Sequence, residues 1–121
     1  MDTLMTLCEA MIHYDRGDAK RIHHFLKVHA FARQIGLEEG LDAHTLFILE
    51  AAAYVHDIGI HQGEIKYGRN DGMIQQELGP GEARPMLTRL HFLPDDIDRI
   101  CWLIAHHHSY GSIDGMDAQI L

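Results

Sequence analysis

Apolar residues recur every three or four positions along most of this chain, a spacing typical of helices that bury one face. No stretch alternates convincingly with the period of two expected of a strand. The pattern therefore predicts an all-α fold of about five to seven helices, packed on one another through their apolar stripes.

The first three predicted helices are separated by glycine and aspartate residues. The first helix has an apolar face made of Leu4, Leu7 or Cys8, Met11 and Ile12. The second is predicted to run from Ala19 to Ile35 and to stop at Gly36. Its predicted inward stripe is His24, Val28, Phe31 and Ile35, with Phe25 and Leu26 beside it. Asp42 is expected to cap a third helix that reaches about Val55–Asp57.

The second half of the chain begins with a glycine-rich stretch at residues 60–81. We expect a loop there with a short helix near Met73–Leu78, followed by a separate helix that opens at Pro80. That separate helix has an apolar face made of Ala83, Leu87 and Leu90. Pro94 is well placed as the first residue of a further helix. Its stripe is Ile97, Ile100 or Cys101, Ile104 and then His107 or His108.

The candidate chemistry lies where a nearly unbroken apolar run, residues 46–55, ends in His56-Asp57. A buried carboxylate is normally paired or bound to a metal. His24 upstream and the His106–His108 run downstream are candidate partners, since His24 begins one inward-facing stripe and the histidine run ends another. The alternatives are a hydrogen-bonded core histidine at His24, and histidines that complement helix dipoles at the other two positions.

Size and charge restrict the functional classes. The chain has 121 residues, of which 46% are hydrophobic, as expected of a single domain over residues 1–121. There is no membrane-length apolar run and no secretion signal, and Cys8 and Cys101 form no CxxC pair, so a cytoplasmic protein is expected. A net charge of −8 argues against binding to duplex nucleic acid but allows a small phosphorylated substrate.

Imidazole nitrogens combined with one carboxylate suit a divalent transition metal such as Mn, Fe, Co, Ni or Zn. Such an ion lowers the pKa of a bound water, generates hydroxide near neutral pH and polarises a phosphoryl oxygen. The residue types therefore indicate hydrolysis at phosphorus.

With these residues, the chain resembles the HD-domain superfamily of metal-dependent phosphohydrolases, and small stand-alone bacterial members in particular. The matching segments are residues 21–28 with His24, residues 53–60 with His56-Asp57, and residues 104–110 with the histidine run. The resemblance implies a compact helical bundle with one or two metal ions held between helices by His24, His56, Asp57 and a later aspartate. It implies that His107 serves a second metal or the substrate phosphate.

The later aspartate departs from the family pattern. In proteins of this kind we expect it just beyond Leu121, so the domain is expected to lack the C-terminal part of the family's domain. Asp117 is the metal-ligand candidate within the chain, with Asp114 as its alternative.

The predicted function is metal-dependent hydrolysis of a small phosphate monoester or diester, such as a nucleotide. His107, with Lys66 and Arg69 from the glycine-rich loop, is expected to stabilise charge on the phosphoryl oxygens. The first alternative is a catalytically incomplete ligand-binding or signalling module of the same fold. The second is a purely structural helical domain, and a homodimer stays open alongside a monomer.

Overall fold

The computed structural model describes residues 2–59 and 72–106, and its regular structure within these ranges is entirely helical. The helices are α1 (Thr3–Tyr14), α2 (Ala19–Glu38), α3 (Ala43–Val55), α4 (Gly72–Arg89) and α5 (Pro94–His106). The predicted all-α class is confirmed. Within the described ranges, none of these helices combines the length and the apolar character needed to cross a membrane.

The starts of α2, α3 and α5 agree with the sequence because each is set by a local feature. The Asp18 carboxylate accepts a hydrogen bond from the backbone N–H of Arg21 at 3.1 Å and begins α2. Asp42 does the same for Thr45 at 2.7 Å and begins α3. Each carboxylate satisfies one of the backbone donors that a first helical turn leaves without an intrahelical partner. Pro94 is the first residue of α5, as predicted.

The predicted stop of α2 at Gly36 is wrong. The helix continues to Glu38 and is capped by Glu39, and Gly40 follows with a φ of +73°, the left-handed conformation of a glycine after a helix C-terminus. Gly36 instead permits close packing, because a Cβ there would lie 2.8 Å from Cδ1 of Leu46 on α3. Its missing side chain lets α2 approach α3.

The predicted inward stripe of α2 is wrong in part, because α2 lies close to α3. Phe31 is 62% exposed and Ile35 is 42% exposed. The buried face consists of Phe25, Ala32 and Gly36. Small residues face α3 because the two helices are close, and the larger side chains one position earlier are turned outward. On α1, Ile12 is likewise 40% exposed, while Leu7 and Met11 are buried.

The predicted break before Pro80 is also wrong, because α4 is one helix that contains both Pro80 and Pro85. Each proline removes a single backbone donor from the helix. Its C-terminal half buries Ala83, Met86 and Leu87 in the core, and this tertiary packing offsets the local cost.

Helix α3 is the centre of the molecule and contacts α1, α2 and α5, while α4 packs on α5. Every residue from Ile48 to Val55 is buried. The prediction that this apolar run forms a helix buried on most sides is confirmed. Its C-terminal end meets the first turns of α2, and this junction holds the candidate site.

Candidate metal centre

Three side chains converge where α3 ends, one from α2 and two from the turn that follows α3. Nε2 of His24 lies 3.1 Å from Oδ2 of Asp57, and Nε2 of His56 lies 3.2 Å from the same oxygen. The two imidazole Nε2 atoms are 3.3 Å apart. The three atoms therefore form a nearly equilateral triangle.

The orientation of His56 is fixed by its own helix. Nδ1 of His56 lies 2.7 Å from the carbonyl oxygen of Ala53. A carbonyl oxygen only accepts, so Nδ1 is the donor, and Nε2 of the neutral ring carries a lone pair. That lone pair is directed toward His24 and Asp57. An imidazole that donates its other N–H to a backbone carbonyl is the usual arrangement of a metal-ligating histidine.

The donor set fits a divalent transition metal. Nitrogen and oxygen ligands lie about 2.0–2.2 Å from such an ion, so neighbouring ligand atoms are about 3 Å apart at right angles and about 3.4 Å at the tetrahedral angle. The observed separations of 3.1, 3.2 and 3.3 Å fall in that range. Within the described part of the chain, His24, His56 and Asp57 are the group that meets the requirements of a metal site.

Access to the centre is from the α2 side. The His56 side chain is 7% exposed and forms the floor, whereas His24 is 45% exposed and forms the rim. The prediction that His24 points inward is therefore correct only in part. The side chain is largely exposed, but its Nε2 atom reaches Asp57. Three protein ligands with one side open leave room for water and substrate on a metal.

The last turn of α5 does not bring His106 into this centre. Nδ1 of His106 donates to the carbonyl oxygen of Trp102 at 2.7 Å, and the two rings stack with centroids 4.3 Å apart. His107 follows it directly. His107, Lys66, Arg69 and Asp117 lie outside the described residues, so their predicted roles stay predictions.

Tyr14 of α1 links the turn that follows Asp57 to α4. The hydroxyl of Tyr14 lies 3.3 Å from the carbonyl oxygen of Ile58 and 3.0 Å from Oε2 of Glu82. Burial, followed by the neighbouring Glu82 carboxylate, raises the pKa of Tyr14 well above its ordinary value. Tyr14 is therefore a neutral phenol at physiological pH and connects three segments around the turn.

Arg21 is a residue of this site that the sequence reasoning did not single out. Its Nη1 lies 3.4 Å from Oδ2 of Asp57, the oxygen that both histidines face. The available signal was its spacing, because a residue three positions before His24 lies on the same face of a helix. A cation beside the cluster thus comes from α2 itself.

The family model of the HD domain matches residues 21–119, which is most of the chain. The match begins at Arg21 and includes all three converging side chains. No curated protein and no solved structure matches the chain.

Proposed function

Because the chain belongs to the HD-domain family, we propose that it is a metal-dependent phosphohydrolase acting on a small phosphate ester such as a nucleotide. The observation that carries the proposal is the convergence of His24, His56 and Asp57, with ligand atoms 3.1 to 3.3 Å apart. Their spacing and chemistry suit a divalent ion of the Mn, Fe, Co, Ni or Zn type.

Each of the three residues has a distinct part in the proposed site. His56 supplies a ligand nitrogen that the Ala53 carbonyl holds in place. Asp57 supplies the negative charge, and His24 completes the set from α2 on the solvent side. A bound divalent ion supplies Lewis-acid activation of water and of a phosphoryl oxygen.

Further groups are predicted from the sequence alone. Asp117 is proposed as an additional metal ligand, and His107, Lys66 and Arg69 as the groups that stabilise charge on the phosphoryl oxygens. A second ion, a cytoplasmic setting and the absence of duplex nucleic acid or membrane among the partners are likewise proposals from the sequence.

The metal content of untagged protein, purified without chelator, tests the first half of the proposal. We expect near-stoichiometric metal in the native protein. In Asp57→Asn we expect affinity to fall by more than about 100-fold, since loss of even an outer-shell group costs 10–100-fold. Asp98→Asn is the matched control, because Asp98 is exposed and pairs with Arg84 at 2.9 Å. A saturating metal should also raise the melting temperature, since it binds only the folded state.

Turnover of nucleoside monophosphates and of an activated phosphodiester, measured with each metal, tests the second half. Metal-dependent product formation that Asp57→Asn abolishes and Asp98→Asn retains is the expected result. Full activity in Asp57→Asn would exclude the proposed site. Stoichiometric nucleotide binding without any product would favour the binding or signalling module instead.

A further inference from the structure

Arg21 occupies an unusual position beside the metal centre. Its side chain is 28% exposed, on the same open side of the site as His24. Its contact with Asp57 is 3.4 Å, which is long beside the roughly 2.7–2.9 Å of a strong charge-assisted hydrogen bond. The guanidinium therefore lies next to the carboxylate without a tight bidentate pairing.

The hydrogen bonding of Arg21 is incomplete as well. A guanidinium has five N–H donors in a fixed planar fork. Its Nε is buried and has no hydrogen-bond partner among the described residues. A buried donor without a partner is unfavourable. A purely structural ion pair would satisfy its donors better than this one does.

The contacts of Arg21 and of both histidines involve one atom, Oδ2 of Asp57. A divalent ion held by that oxygen would compete with the guanidinium for its negative charge. The arginine fork would then be available to an oxyanion, and phosphate is a group that its planar donors match in a bidentate manner.

We propose that Arg21 is the phosphate-binding residue of this centre, and that its contact with Asp57 couples anion binding to metal binding. The proposal rests on the proposed function, since it requires a metal on Asp57. It names the ligand chemistry that the site selects, a tetrahedral phosphoryl group presented from the α2 side. Metal bound to Asp57 raises the affinity of Arg21 for the anion. By linkage, the bound anion raises the affinity of the site for the metal by the same factor.

The simplest rival is that Arg21 only orients Asp57. The two explanations differ in the effect that inorganic phosphate should have on metal affinity once Arg21 is removed. If Arg21 only orients Asp57, its removal changes metal affinity but leaves the effect of phosphate on metal affinity unchanged. If Arg21 binds phosphate, its removal takes away most of the phosphate effect.

Calorimetric titration of Mn²⁺ into metal-free protein, with and without inorganic phosphate, separates these cases. In the native protein we expect phosphate to tighten Mn²⁺ binding by about tenfold, within the range usual for coupled sites. In Arg21→Gln we expect Mn²⁺ alone to bind several-fold more tightly, because a competing cation is gone, and phosphate to change its affinity by less than about twofold.

Lys20→Gln is the matched control. Lys20 is the exposed neighbour of Arg21 on the same helical turn, so the substitution removes the same charge without touching Asp57. It should keep the full phosphate effect. If phosphate tightened Mn²⁺ binding in Arg21→Gln as much as it does in the native protein, the inference would be overturned while the metal site stayed in place. Loss of Mn²⁺ binding in Arg21→Gln would also overturn it, because Arg21 would then be required for the ligand set itself. Failure of the native protein to bind any metal would instead reject the proposed function.

Discussion

The backbone of Gly59 lies directly against the backbone of Gly79. A Cβ built on Gly59 would lie 2.9 Å from the nitrogen of Gly79 and 3.2 Å from its Cα. The turn that follows His56-Asp57 therefore packs against α4 through a direct contact between two main chains. Main-chain atoms cannot rotate away as a side chain can, so this contact fixes where the turn leaves α3.

Gly59→Ala is expected to destabilise the protein by about 1–3 kcal/mol, the usual cost of inserting a methyl group into a well-packed interior. It should also weaken metal binding, because relief of the contact displaces the turn after Asp57. Chemical denaturation and metal titration measure the two effects. Gly79→Ala is the control, since its Cβ would make an ordinary 3.6 Å contact with Cδ1 of Ile104. Alanine is preferred to glycine within a helix, so this control should be neutral or slightly stabilising. Equal losses of stability and of metal affinity in the two variants would contradict the role of Gly59 in positioning the turn.

A second prediction concerns a buried carboxylate between α2 and α3. Oε1 of Glu50 lies 2.9 Å from Nε2 of His29, and the His29 ring stacks on Tyr54 with centroids 4.0 Å apart. His29→Ala should cost about 3 kcal/mol, because it leaves Glu50 in the interior without its closest partner. Arg33→Ala should cost less than about 1 kcal/mol, since Arg33 is 54% exposed and 3.4 Å from Glu50. Urea denaturation of the two variants tests the ranking, and the reverse order would refute it.

The cap at the start of α3 predicts a pH dependence in acid. Hydrogen bonds from Thr45 lower the pKa of Asp42 below its ordinary value. A lowered folded-state pKa means that the carboxylate stabilises the fold above its ordinary pKa and loses this effect as pH falls through the folded value. Asp42→Asn keeps an oxygen acceptor for Thr45 but does not titrate. The decline in stability below about pH 4 should be shallower in this variant. Identical acid profiles for Asp42→Asn and the native protein would contradict the assignment.

Tyr14 predicts a pH dependence at the alkaline end. Its pKa is raised by burial and by Glu82, so the folded state holds the phenolic proton more tightly than the unfolded chain does. The stabilisation is complete below the ordinary tyrosine pKa of about 10 and is lost as pH rises above it. Tyr14→Phe should therefore flatten the fall in stability above pH 10, as seen in thermal melts across that range. Tyr54 also has a raised pKa, chiefly from burial, so part of the slope should persist. An unchanged slope in Tyr14→Phe would show that Tyr14 is not the group responsible.

The three converging residues of the candidate metal centre could be predicted from the sequence because their signal is local. His56-Asp57 follows an apolar run whose burial can be read from its composition, and such a pair needs partners. His24 lies on an amphipathic helix that a cap residue begins. Arg21 was missed because an arginine in the first turn of a helix is ordinary by itself. Its importance depends on the position of Asp57, which lies 36 residues later in the chain.

The sequence by itself determined the starts of α2, α3 and α5, the burial of α3 and the pairing of His56 with Asp57. These depend on interactions within one helical turn or on composition. Only the tertiary structure decided which face of α2 is buried, that α4 continues through Pro80, and that Gly36 and Gly59 are close-packing positions. Each of these depends on the distance to a neighbouring helix. That distance is set by side chains from both partners, so the periodicity of one segment cannot reveal it.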